Sequence, residues 1–200
     1  MDAALVAFAV VFVAELGDKT QLVALGLAAR YPLGVVLTGI TLAYAITQGF
    51  AALLGGALGA ALPTTAIGIG AALLFFGFAA WTVYEAVGGG DDEEDEAAEE
   101  VEAVAKRAGR GAVGVVLAIV GAMVLAEIGD KSMLATATIA ADRGALGAWI
   151  GATLGITASG ALAVLVGRFL GARIPERSTQ FVAAGLFVLF GVLLLVDTLA

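Results

Sequence analysis

Two stretches decide how this chain is read: "AELGDKTQL" at residues 14–22 and "AEIGDKSML" at residues 126–134. Each sets Glu, Asp and Lys close together inside a long apolar run. Uninterrupted apolar stretches near the ~20 residues needed to cross a bilayer fall at about 3–29, 34–60, 66–87, 112–141, 145–170 and 179–199. Of 200 residues 61% are hydrophobic and 14% charged, with a mean hydropathy of +1.03; a soluble domain carries roughly 45–50% and about 25%. The composition is that of an integral membrane protein.

In lipid every backbone polar group must be satisfied inside a helix or a closed barrel. Runs without polar alternation exclude the barrel, so the expected fold is all-α with six transmembrane helices. Cysteine and histidine are both absent, which removes disulfides, thiolate sites, imidazole ligands and imidazole proton relays. The first segment starts at Met1-Asp2 without a basic leader and is longer than a signal core of ~7–15 residues, so it is expected to be retained as a helix.

Sliding the sequence on itself explains why the motif occurs twice. Glu127 minus Glu15 is 112, and the same offset carries Gly17 onto Gly129, Asp18 onto Asp130, Lys19 onto Lys131, Gly39 onto Gly151 and Thr41 onto Thr153. It also carries Gly55 onto Gly167, Gly59 onto Gly171, Pro63 onto Pro175 and Glu85 onto Asp197. The chain therefore reads as two three-helix repeats, residues 1–87 and 112–200, joined by an acidic linker at 88–111. Because three is odd, the second copy enters the membrane upside down. The expectation is an inverted-topology repeat, an arrangement common in secondary transporters, with the substrate site near the midplane.

The net charge of −8 is concentrated in that linker. A run of like charges repels itself and stays solvated, although "EEVEAVAKRAG" can form a short helix with Glu102 and Lys106 paired at i,i+4. Arg30, Lys106, Arg107, Arg110, Arg168, Arg173 and Arg177 fall on one side of the membrane and Arg143 on the other. By the positive-inside rule the linker is cytoplasmic and both termini face outward. Nothing is basic enough to suggest nucleic acid. The expected surroundings are the lipid bilayer, and the oligomeric state is left open between a monomer and a homodimer.

If each motif lies on a continuous helix, Glu15 and Asp18 share a face, Lys19 is within pairing reach of Glu15, and Gln21 extends the polar face by a turn. Thr20 points more nearly away, toward its own backbone. The second copy repeats this with Glu127, Asp130, Lys131 and Ser132, but Met133 stands where Gln21 stands in the first. Each ionised group at a helix centre costs ~2.5–3.5 kcal/mol, so six left unpaired would cost roughly 15–20 kcal/mol. They must pair, protonate or bind something.

Four carboxylates and two ammonium groups carry a net charge of −2, which one divalent cation would neutralise. The donors, Glu15, Asp18, Glu127 and Asp130 with Gln48, Gln21, Thr47 or backbone carbonyls, form an all-oxygen set suited to hard ions. Mg²⁺ sheds water reluctantly, which leaves Mn²⁺ and Ca²⁺ as cargo, and no prosthetic group is expected. Acids removed from water and set beside other acids hold their protons more tightly. One cluster that takes protons when empty and releases them to a metal is an antiport site.

At "ELGDKT" (15–20) and "EIGDKS" (127–132) the sequence resembles the Gdt family of membrane proteins, whose signature E-x-G-D-[KR]-[ST] occurs twice. The resemblance covers nearly the whole chain. It implies a cation/proton exchanger for Ca²⁺ and Mn²⁺, with Glu15, Asp18, Glu127 and Asp130 lining the ion site and Lys19, Lys131, Thr20 and Ser132 supporting it. With no further targeting segment before the first helix, the expected address is a plasma membrane of the prokaryotic type.

Three other readings stay open at this stage: a passive divalent-cation channel, a structural membrane protein whose motifs are intrahelical Glu–Lys pairs, and an intramembrane enzyme. The last lacks a defined nucleophile, and no phosphate-binding G-x-x-x-x-G-K-[ST] loop is present. No enzymatic activity is expected. Gly39, Gly55, Gly59, Gly151, Gly167 and Gly171 are expected to be close-packing points, and Trp81, Tyr84 and Trp149 interfacial anchors. Thr41, Thr47, Thr153, Thr157 and Ser159 are expected to bond between helices or to their own backbone.

Overall fold

The computed structural model describes the backbone of residues 2–16, 18–88, 91–108, 111–170 and 176–199, and the side chains of these apart from residues 19, 91–98, 166–170 and 176–177. Among the described residues the fold is entirely helical: α1 (Ala3–Ala14), α2 (Lys19–Arg30), α3 (Leu33–Ala61), α4 (Thr64–Gly88), α5 (Asp91–Arg107), α6 (Ala112–Glu127), α7 (Lys131–Arg143), α8 (Ala145–Leu170) and α9 (Glu176–Leu199). Gly17, the Lys19 side chain, Arg110, Arg173, Gly171, Pro175, the surroundings of Gly167 and the side chains of Arg168 and Arg177 lie outside the described residues.

Local chemistry accounts for the boundaries. The Asp2 carboxylate accepts the Ala4 N–H and caps α1. Before Pro63 the backbone of Leu62 is extended (φ −113°, ψ 151°), as the residue preceding a proline prefers, and this ends α3. Gly144 closes α7 with φ +108°, a conformation that a side chain would strain.

Among the described residues four helices are long and apolar enough to cross a membrane: Leu33–Ala61, Thr64–Gly88, Ala145–Leu165 and Ser178–Leu199. A fifth crossing arises if α6 and α7, bent by 76° at their junction, form one broken span. The apolar run 3–29 is likewise divided, into α1 of 12 residues and α2. At ~1.5 Å per residue, α1 alone is too short to span.

The two runs that carry the motif are thus not continuous helices, contrary to the sequence expectation. Both break within the motif. The Glu15 carbonyl accepts the Asp18 N–H and the Glu127 carbonyl accepts the Asp130 N–H, so each motif folds as a tight turn. In the second turn Gly129 has φ +86° and a Cβ there would meet nothing within 4 Å. Only the conformation demands glycine. Gly129→Ala is accordingly expected to lower stability by ~1–2 kcal/mol, read as a fall in the thermal unfolding midpoint in detergent. An unchanged midpoint would mean that the turn relaxes without cost.

The helices of residues 1–88 and 112–199 interleave. α4 packs on α9, α1 on α8, α6 on α3, α2 on α8 and α7 on α3. Without a hydrophobic drive between helices in lipid, close backbone approach supplies the attraction. A Cβ at Gly55 or Gly59 would overlap the carbonyls of Ala137 or Ala141 on α7, and one at Gly151 would overlap that of Ala4 on α1. Gly39 meets Ile119 on α6. These four glycines are packing points, as expected. An aromatic cluster of Phe75, Phe78, Phe187 and Phe190 joins α4 to α9.

The linker differs from its expectation as a solvated segment. α5 packs on α2 and α6, with Val101 and Val104 buried in the core cluster. Val101 lies against Gly26 of α2. The acid-rich composition hid an apolar pair at helical spacing. The Glu102–Lys106 pair forms as read, at 2.9 Å, and holds the Glu102 carboxyl below its ordinary range.

Candidate functional site

The two breaks meet inside the bundle. Glu15 at the end of α1, Asp18 before α2 and Asp130 at the start of α7 each offer a carboxylate oxygen, and these oxygens lie within 4.8 Å of one another. Glu15 is buried and its Oε2 accepts the Thr20 hydroxyl at 3.0 Å. Thr20 therefore faces the site rather than its own backbone, because the broken helix turns α2 back toward Glu15. Asp130 caps α7 by accepting the Ser132 N–H at 3.1 Å.

Lys131 does not form the intrahelical pair with Glu127 that a continuous helix would favour. Its Nζ is 3.2 Å from Asp18 Oδ2 in the other repeat and 3.7 Å from Glu85 Oε2 on α4. The bend between α6 and α7 sends the lysine toward Asp18 and Glu85 rather than back along its own helix. Glu127 is buried among the same charges, within electrostatic reach of Glu15, Asp130 and Asp18, but stands outside the group of three.

The polar residues expected to support the acids are arranged around them. Gln48 on α3 donates to the Ser132 hydroxyl at 3.2 Å, and Gln21 on α2 donates to the Ser159 hydroxyl on α8 at 2.7 Å. Both bonds join a helix of residues 1–88 to one of residues 112–199. Thr47 bonds the Tyr44 carbonyl of its own helix, a structural role. Trp149, expected as an interfacial anchor, donates to the Ala45 carbonyl on α3; Trp81 and Tyr84 are exposed.

Several buried oxygens lack a hydrogen-bond partner: Glu15 Oε1, Gln48 Oε1 and both carboxylate oxygens of Glu127. Thr153 and Thr157 also carry such hydroxyls. Buried polar atoms in native proteins are nearly always satisfied. A group of orphaned oxygens beside three converging carboxylates is a place for a cation or for protons.

Two residues of the site were not singled out from sequence. Tyr44, fully buried on α3, faces Glu127, Glu15 and Thr20, and nothing in its local pattern marks it. Glu85 carried a signal, since it falls in register with Asp197 at the end of an apolar run. In the structure the two differ: Asp197 pairs with Arg143 at 3.6 Å.

Broken helices whose ends converge on buried charge are a recurring device of ion-handling membrane transporters. The comparison with known proteins agrees. A family model described as divalent cation/proton antiporter GDT1 matches residues 3–90 and 115–200. The chain belongs to the GDT1 family, a family of multi-pass transporters and not of catalytic enzymes. It is 34% identical to a GDT1-like protein of Synechocystis, over 90% of this chain and 90% of that one. GDT1-like protein 5 of Arabidopsis thaliana is 30% identical over 92% and 91% of the two chains. Protein PAM71, chloroplastic, from the same plant is 35% identical over 92% of this chain and 54% of that protein. No solved structure matches.

Proposed function

We propose that this chain exchanges Mn²⁺ or Ca²⁺ for protons, with Glu15, Asp18 and Asp130 holding the metal and Glu127 beside them taking and releasing protons. The observation that carries the reading is the convergence of three carboxylate oxygens within 4.8 Å. Two oxygens on opposite sides of one ion at ~2.3–2.6 Å are at most about 5 Å apart, so one Ca²⁺-sized ion suits the group. The orphaned oxygen of Gln48 supports its expected place near the cargo. Both oxygens of the Glu127 carboxylate are unpartnered, and a single proton or a nearby cation would neutralise its buried charge.

The inverted repeat is part of this proposal. Under the 112-residue offset the packing of α1 on α8 corresponds to that of α6 on α3, and α2 on α8 to α7 on α3, while α4 on α9 corresponds to itself. That pairing supports six crossings, two of them broken at the motifs, with the repeats rocking about the shared site. The proposed address is a plasma membrane, with the acidic α5 segment cytoplasmic and both termini outside.

The test is a sealed-vesicle assay with the purified chain and a trapped pH dye. Addition of Mn²⁺ or Ca²⁺ outside is expected to make the lumen more alkaline in step with metal entry. Metal entry without proton movement, with the membrane potential shunted, would establish a channel instead. No metal movement by folded protein would return the motifs to a structural role.

A further inference from the structure

Resting on the cation reading above, we propose that Glu85 is a positioning residue: it holds the Lys131 ammonium aside when a divalent cation occupies Glu15, Asp18 and Asp130. The geometry sets up a competition. Lys131 Nζ stands between Asp18 Oδ2, at 3.2 Å, and Glu85 Oε2, at 3.7 Å. Asp18 therefore has two claimants, the tethered ammonium and a metal ion shared with Glu15 and Asp130.

Lys131 is 13% exposed, too buried to be left without a counter-charge at small cost. Among the described residues the acids that act on it most strongly are Asp18, Asp130, Glu15 and Glu85. Three belong to the cation group, and Glu85 alone lies outside it. When the metal claims the three, Glu85 is the acid left for the lysine. Its placement is not casual: the other Glu85 oxygen accepts the indole N–H of Trp81, one turn earlier on α4. The indole orients the carboxylate so that its second oxygen faces Lys131.

Competition of this kind sets affinity. A site that binds cargo without a competing cation gains affinity but releases slowly, and an internal ammonium returning to Asp18 favours release. With Glu85 removed, the lysine is pressed onto the acids of the site, and the metal must displace it with no alternative seat.

The test measures Mn²⁺ binding to the purified full chain in detergent, from the electron spin resonance signal of free Mn²⁺. Glu85→Gln is expected to raise Kd roughly fivefold, the scale of a partly exposed ion pair, while Lys131→Gln lowers it. In the Lys131→Gln background, Glu85→Gln is expected to change Kd little, because the residue acts through the lysine. The same fivefold loss in that background would show a direct field on the metal and overturn the proposal, as would an unchanged Kd in the single variant. Trp81→Phe, at an exposed position, is expected to shift Kd in the same direction by a smaller factor, and decides the matter if Glu85→Gln does not fold. Asp18→Asn separates the two readings. Loss of binding there with Glu85→Gln unchanged leaves the cation site standing and removes only the role of Glu85. If the unsubstituted chain takes up no Mn²⁺, the site and the positioning role fall together.

Discussion

Asp18→Asn is expected to abolish metal-driven proton movement in vesicles. The substitution removes one of three converging carboxylates and also the nearer counter-charge of Lys131. Removing one partner of a buried pair costs ~3–5 kcal/mol, which corresponds to roughly 10² to 4 × 10³ in an equilibrium constant. An amide keeps the size of the side chain but has no charge to share with a divalent cation or to offset the ammonium. The measurement is the initial rate of lumenal alkalinisation, normalised to folded protein in the vesicles. A rate near that of the unsubstituted chain would remove Asp18 from the site.

The second large effect is structural. Gly55→Val and Gly151→Val are each expected to prevent folding, because even the first added carbon overlaps a backbone carbonyl of the facing helix, Ala137 on α7 or Ala4 on α1. Carbonyls cannot rotate away as side-chain ends do, so α3 and α7, or α8 and α1, must separate. Overpacking costs ~1–3 kcal/mol even where side chains can adjust, and more here. Gly55 has a further consequence, since α3 and α7 also carry the Gln48–Ser132 bond. Gly70→Ala and Gly77→Ala on α4 are the contrast: nothing lies within 4 Å of a Cβ at either. Size-exclusion profiles and thermal unfolding in detergent should separate the two pairs sharply. Folded Gly55→Val and Gly151→Val proteins with ordinary midpoints would mean that these helices do not approach as closely as described.

On a continuous helix Thr20 turns away from Glu15 and Lys131 comes within reach of Glu127, because neighbours there lie at i+3 and i+4. Once each motif becomes a turn, those spacings no longer decide who meets whom. The break itself had a sequence signal in Gly129 preceding Asp130, a helix-capping type, but a glycine within an apolar run also reads as a packing residue. Val101 and Val104 were overlooked for a similar reason: a short apolar pair within an acidic segment looks solvated until α2 and α6 are seen to cover it.

Sequence alone determined the membrane class, the helical fold and the doubled motif, and it singled out the acids within that motif. Composition, hydropathy and internal offset are properties of the chain in one dimension, and the cost of charge in lipid makes deep carboxylates conspicuous wherever they fall. Tertiary structure alone decided that Glu15, Asp18 and Asp130 converge, that Glu127 stands beside them, and that Lys131 crosses to Asp18 and Glu85. Apart from neighbours within one motif, those pairings join residues about 45 to 115 positions apart. They depend on the direction in which a broken helix resumes and on how closely glycines let the helices approach, and neither quantity is written in local spacing.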